Sequence, residues 1–191
     1  LIYQNLKDAT TRVFQNVLDY AFDATSNLLA VSQKTDNGYS LSVIENLQAS
    51  LEEISSNQSN PYSNLVWSPQ GKSLAFMEVM DDTHKIHWIR NLDARSPQSF
   101  DALKNGLAIP AKFRDVLRFS EDGQKLFFKA ANHVDIKEEE KPNPIQIWNT
   151  KDELLYPAYE IIKKSLINPN LTICWNINGS WHYVGDKENI F

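Results

Sequence analysis

Apolar and polar positions along this chain fall into a unit that occurs three times: an apolar run closing on an aromatic, a polar turn, then a second apolar run. The copies read "YAFDATSNLLAV" at 20–31, "LVWSPQGKSLAF" at 65–76 and "LRFSEDGQKLFF" at 117–128. Short apolar runs bounded by turn residues predict paired β-strands. The closing aromatics keep a period: Phe22 and Trp67 lie 45 residues apart, and Trp67 and Phe119 lie 52 apart. A second element holds the same register. "LSVIENL" at 41–47 and "IHWIRNL" at 86–92 alternate as half-buried strands do, each beginning 19 residues after its aromatic. Such a unit cannot bury its own apolar faces, so repetition predicts neighbouring units that stack and share a core. The expected fold class is all-β, a partial β-propeller of about three to three and a half four-stranded blades.

The period divides the single expected propeller domain, 1–191, into the tail of a preceding blade at 1–14 and blades at 17–54, 62–100 and 113–191. "LIYQNLK" at the start matches the second recurring element. In the third copy that element has two candidates. "IQIWNTK" begins at Ile145, 26 residues after Phe119, with the seven extra residues in the charged, proline-containing "HVDIKEEEKPNP". Alternatively "LTICWNINGSWHYVG" at 171–185, a hairpin with Asn178-Gly179 at its tip, supplies the outer strands, and "IQIWNTK" belongs to an excursion. Between them "PAYEIIKKSLI" has the apolar spacing of a short amphipathic helix at 157–167, with Pro157 in its first turn and Pro169 stopping it.

Turn chemistry follows the repeat. Gly71 and Gly123 occupy the same turn position, where a positive φ is expected, and the first copy carries Ser26-Asn27 there. Phe22, Trp67 and Phe119 read as inter-blade core rather than as a ligand box.

Composition narrows the functional classes. Hydrophobic content of 42% and charged content of 23% are those of an ordinary globular chain. A net charge of −5 argues against nucleic-acid or membrane-surface binding, which calls for a basic stripe, and no apolar run reaches the length of a bilayer span. The single cysteine, Cys174, excludes an intrachain disulfide. The chain opens "LIYQNLKD" without Met or a signal-peptide layout and closes on "KENIF", and it reads as a piece of a longer protein.

Little in the segment points to chemistry. A nucleophile elbow requires Gly-x-Ser-x-Gly, and Gly38, Gly71, Gly106, Gly123, Gly179 and Gly185 never bracket a serine in that way. Phosphate-binding glycine loops are also missing. Cys174 with His182 eight residues on could pair a thiol with a base, but a cysteine beside Trp175 in a strand reads as core. His84 and His87 are three apart and point to opposite faces if both lie in one strand. His133 and Asp135, near Glu138, Glu139 and Glu140, could form a weak cation site but read as a solvated acidic loop. Glu52-Glu53 and Asp81-Asp82 read as surface charge. Asn57, Asn170 and Asn178 open Asn-x-Ser/Thr triplets, relevant only in a glycosylating pathway. No catalytic, metal or cofactor-binding residue is assigned, and no cofactor is expected.

The run "IQIWNTKDELLYP", the helical stretch after it and "LTICWNINGSWHYVGD" resemble the N-terminal propeller of the prolyl oligopeptidase family of serine peptidases, in its Bacteroidetes branch. The branch's Trp-x-x-x-Asp-x-x-Leu pattern is matched by Trp148, Asp152 and Leu155, and the opening 31 residues look like a blade-to-blade passage of that family. "YPAYE" after Leu155 and Ser26-Asn27 in the first turn depart from the pattern. The resemblance implies a secreted or periplasmic parent protein in which a C-terminal α/β-hydrolase domain carries a Ser-Asp-His triad. This segment would then be its non-catalytic cap, admitting peptide substrates and excluding folded proteins. It makes Trp148 and Asp152 candidate domain-interface residues, against a reading of Trp148 as inter-blade core and Asp152 as a turn cap. The alternative function is a Tol-type or WD-like propeller that binds another protein, and a third is a hydrolytic or metal function of the segment itself. Three and a half blades cannot close a ring of four to eight, so open blade edges are expected to promote self-association or to leave an open arc.

Overall fold

The computed structural model describes residues 1–23, 25, 27–81, 84–94, 96–109, 117–132 and 171–184. Strands β1 (Ile2–Gln4) and β2 (Thr11–Val13) form a two-stranded antiparallel pair. A four-stranded meander follows: β3 (Val17–Asp23), β4 (Leu28–Thr35), β5 (Gly38–Ile44) and β6 (Glu52–Asn57). The next four strands repeat it: β7 (Tyr62–Trp67), β8 (Leu74–Glu78), β9 (Lys85–Ile89) and β10 (Pro97–Phe100). A last sheet contains β11 (Leu107–Ala108), β12 (Arg118–Phe119), β13 (Lys125–Asn132), β14 (Leu171–Asn176) and β15 (Trp181–Tyr183). Every pairing is antiparallel, as short hairpins between sequential strands require. These are the consecutive blades of a β-propeller, with β3, β7 and β12 as first strands lying side by side.

The three copies of the sequence unit are the hairpins β3–β4, β7–β8 and β12–β13, and the turns of the second and third are wired alike. In the second, the Ser68 amide donates to the Ser73 carbonyl and the Gly71 amide to the Ser68 carbonyl; in the third, Ser120, Lys125 and Gly123 make the same two bonds. Gly71 (φ +70°) and Gly123 (φ +66°) adopt the left-handed conformation the turn needs. A Cβ on Gly123 would fall 2.2 Å from the Gln70 side-chain oxygen, because Gln70 reaches across to donate to the Glu121 carbonyl of the next blade. Asn27 is left-handed too, at φ +57°, aligned with Lys72 at φ +64°.

Both faces of a blade are apolar, and strand alternation assigns each to a different neighbour. On β8, Leu74 and Phe76 face the first blade with Ala30, Leu41, Val43, Tyr62 and Leu65. Ala75 and Met77 face the third, joining Ile86, Trp88, Phe119, Leu126, Phe128 and Trp175. The β1–β2 pair covers the far side of the first blade through Phe14, Leu29, Val31 and Ile44. Trp88, fully buried, packs edge-on against Phe119 (5.5 Å) and Trp175 (5.6 Å), and its indole N–H donates to Ser73 Oγ at 2.6 Å.

One sequence reading changes, and one of two open alternatives is selected. Phe119 and Trp67 do pack between blades, but Phe22, expected in the core, is half exposed and only touches Tyr3 at a ring separation of 6.3 Å. The reason is geometric: the β1–β2 pair packs mainly on the β4 and β5 part of that face, and among the described residues the ring set against Phe22 is Tyr3 of β1 alone. In the third blade, β14 pairs with β13 over six residues and β15 with β14, so the hairpin at 171–184 supplies the outer strands. The "IQIWNTK" run and the helix expected at 157–167 lie outside the described residues.

The first strands share an irregularity. The β3–β4 pairing slips by one residue between Val17 and Asp19, and the β7–β8 pairing by one between Ser63 and Val66. In the third blade the strand is split. β11 and β12 both pair with β13, but ten positions separate Ala108 from Arg118 where their partners Ala131 and Phe127 are four apart, so the slip grows to six residues.

Trp88→Ala should cost about 3–5 kcal/mol, since it empties a fully buried site at the centre of the interface between second and third blades. Urea unfolding of the variant against the parent sequence measures it. A loss under about 1 kcal/mol would mean that the second and third blades are not held by this contact.

Candidate functional site

Two regions outside the core carry concentrated polar or unpartnered chemistry: an open apolar face on β3 and a polar cluster on the outer strands of the second blade. Along β3, side chains alternate in exposure. Asp19 and Ala21 turn toward the second blade, where Asp19 Oδ2 accepts from the Leu65 amide (3.4 Å) and the Ala21 carbonyl accepts from Trp67 Nε1 (3.0 Å). Leu18, Tyr20 and Phe22 turn the other way and are 48%, 55% and 49% exposed. The residues matching Tyr20 and Phe22 in the later blades are Leu65 and Trp67, then Leu117 and Phe119, and these pack against the preceding blade. Among the described residues, the β3 stripe is therefore an inter-blade surface that no full blade covers.

The polar cluster follows from cross-strand register. In antiparallel pairs directly opposite residues share a face. His87 of β9 is paired with Phe76 of β8 on one side and with Ser99 of β10 on the other, and Glu78 lies two residues beyond Phe76 on the same face. His87 stacks on the Phe76 ring at 5.0 Å and 15°. Its Nε2 lies 3.0 Å from Glu78 Oε2 and its Nδ1 2.9 Å from Ser99 Oγ. Asn60 Nδ2 donates to the other Glu78 oxygen at 2.7 Å. Burial raises the Glu78 carboxyl, but donation from Asn60 and His87, with the charges of His87 and Lys85, outweighs it and holds the group below its usual range. Burial draws His87 below the ordinary histidine range, and the Glu78 hydrogen bond and charge only partly offset this. An ionised carboxylate can only accept, so Nε2 carries the imidazole proton and Nδ1 is left to accept from the exposed Ser99 hydroxyl.

Other sequence candidates are dispersed. His84, buried just before β9, accepts from the Met80 amide at Nδ1 (3.3 Å) and has no partner in common with His87. Its burial lowers its pKa, partly offset by the Met80 bond. Cys174 is paired with His182 across β14–β15, yet the thiol is buried and its nearest polar partner is Asn176 Oδ1 at 3.9 Å. Burial raises the thiol pKa, which disfavours the thiolate that nucleophilic chemistry requires. No group of three or more His, Cys, Asp or Glu suited to a metal occurs among the described residues. Among them, too, no helix is long and apolar enough to cross a membrane. Trp148, Asp152, His133, Asp135 and Glu138 to Glu140 lie outside the described residues. The Glu78–His87–Ser99 line escaped sequence reasoning because its members are 9 and 12 residues apart and meet only once both hairpin registers are fixed.

Acidification should destabilise the fold through His84 and His87. Both have folded pKa values below those of the unfolded chain, so the unfolded state binds more protons as pH falls through the ordinary histidine range. Stability is then highest above that range and falls until the depressed folded pKa values are passed. Urea midpoints from neutral to mildly acidic pH measure the slope, and it should flatten in a His84→Asn/His87→Asn variant. An unchanged slope in that variant would assign the effect to other groups.

No protein-family profile matches this chain, and no curated protein does. Solved structures do. One, described as a TolB from Agrobacterium tumefaciens, superposes with a TM-score of 0.51 at 13% identity over 88% of this chain and 46% of its own. An oligogalacturonate lyase in complex with manganese superposes with a TM-score of 0.51 at 12% identity over 95% of this chain and 40% of its own. The chain spans less than half the length of either protein. At this identity the likeness is one of fold, and it agrees with the blade order and inter-blade packing: the chain is built as a β-propeller.

Proposed function

We propose that this chain is a non-catalytic run of propeller blades in a prolyl oligopeptidase-like serine peptidase, where it gates substrate entry and supports a C-terminal α/β-hydrolase domain. The observation behind this reading is the open β3 stripe of Leu18, Tyr20 and Phe22; the equivalents of Tyr20 and Phe22 in the later blades are covered. A surface of that kind belongs to a ring with more blades than the three sheets and the β1–β2 pair. The choice of ring rests on the sequence run containing Trp148, Asp152 and Leu155, and with it come peptide substrates and a periplasmic or secreted setting. Such a ring would admit short or unstructured peptides through its centre.

On its own, the segment should self-associate through the open stripe and bind apolar dyes. Tyr20→Lys/Phe22→Lys should shift it toward monomer in light scattering and reduce dye fluorescence, with no loss of β signal, because both side chains are about half exposed. A monodisperse, dye-silent monomer before substitution would remove this surface from consideration.

The peptidase reading is tested on the longer parent protein beside this segment, with short proline- and alanine-containing peptides. Hydrolysis by the parent and none by the segment is the expected result. If neither cleaves, the propeller is a protein-binding module of Tol or WD type, and affinity capture with the parent is the experiment that follows.

A further inference from the structure

The Glu78–His87–Ser99 line on the second blade has a chemical meaning that a scaffold does not need. A hydroxyl nucleophile becomes reactive when a neutral imidazole nitrogen accepts its proton and a carboxylate on the other nitrogen fixes the tautomer and stabilises the imidazolium. Here Ser99 Oγ lies 2.9 Å from His87 Nδ1, and Glu78 Oε2 lies 3.0 Å from His87 Nε2. The carboxylate is itself held by Asn60 at 2.7 Å, and the imidazole is clamped flat on Phe76. Three adjacent strands, β8, β9 and β10, supply the three groups, so sheet hydrogen bonding fixes their spacing. The carboxylate and imidazole are largely shielded, with side-chain exposures of 15% and 12%, whereas Ser99 is exposed on the outermost strand. That arrangement keeps the base out of water while the nucleophile faces incoming reagents.

We propose that Ser99 is an activated hydroxyl, an acyl-acceptor site for small activated esters, with His87 as its general base and Glu78 as the residue that positions the base. In the step, Ser99 Oγ attacks the ester carbonyl carbon and forms the Oγ–C bond. The hydroxyl proton passes to His87 Nδ1. The tetrahedral adduct then expels its alkoxide or phenolate with the electron pair of the breaking C–O bond. The imidazolium, facing the Glu78 carboxylate, releases its proton to solvent, and Ser99 is left acylated. The proposal concerns this acylation rather than turnover, and it stands apart from the peptidase reading.

The test treats the intact chain with p-nitrophenyl acetate and reads both p-nitrophenolate release and the acetylated residue by peptide mass spectrometry. The expected result is one acetyl group on Ser99, ahead of every other serine or threonine, and none at that peptide in Ser99→Ala. His87→Asn should slow labelling of Ser99 by about 100-fold or more. The rate at Ser99 should rise with pH to a plateau as His87 loses its proton, with Glu78 and Lys85 the charged groups bearing on that ionisation. Glu78→Gln should lower the rate and move the inflection to lower pH, since the carboxylate favours the imidazolium, and a merely structural Glu78 would leave the inflection in place. Site mapping on the unsubstituted chain decides the matter even if a variant fails to fold. Acetyl groups on lysines alone, or Ser99 labelled no faster than other exposed hydroxyls, would overturn the proposal.

Discussion

A four-stranded blade is apolar on both faces, and neither face can be left in water without a cost of about 1.5–3 kcal/mol for each large side chain. Everything else in this chain follows from covering both sides. Strand β8 shows the demand most directly: Leu74, Ala75, Phe76 and Met77 are all buried, alternate residues serving different neighbours. Polar atoms admitted to these interfaces have to be satisfied there. Ser32 Oγ donates to the Tyr62 carbonyl across the first interface, and Ser73 Oγ accepts from Trp88 while donating to the Ile89 carbonyl. The serines act as internal solvent for two backbone carbonyls and an indole N–H.

The two ends of a blade divide the remaining work. First strands meet their neighbours directly, through Trp67 on the Ala21 carbonyl and Asp19 on the Leu65 amide, so they set the spacing between blades. Outer strands carry the Glu78–His87–Ser99 cluster, where a side chain has one shielded flank and one wet one. His87 draws on both conditions, with Phe76 beneath it and the exposed Ser99 beside it.

The repeat made the blades legible because its determinants are local. A glycine or asparagine at the turn and an aromatic closing the first strand are visible in a short window, and Gly71, Gly123 and Asn27 are left-handed as those residue types imply. What local pattern could not carry was the identity of the neighbour. Phe22 and Phe119 occupy the same repeat position, yet one is half exposed and the other buried, since the covering surface comes from elsewhere in the chain. The same holds for Glu78, His87 and Ser99, which no spacing rule links until two hairpin registers are known. The candidate interface pair Trp148 and Asp152 was legible only through family likeness and falls outside the described residues.

All three first strands lose regular pairing in the same stretch, by one residue in two blades and by six in the third. The pairing of β13 with β14 continues unbroken over six residues beside the split strand, so the extra length is absorbed on one side of the sheet alone. A blade of this design has a built-in place for variation in chain length. Insertions there leave the packed interfaces and the outer strands untouched. Evolution can thus reshape that stretch of the first strand from blade to blade without renegotiating the fold.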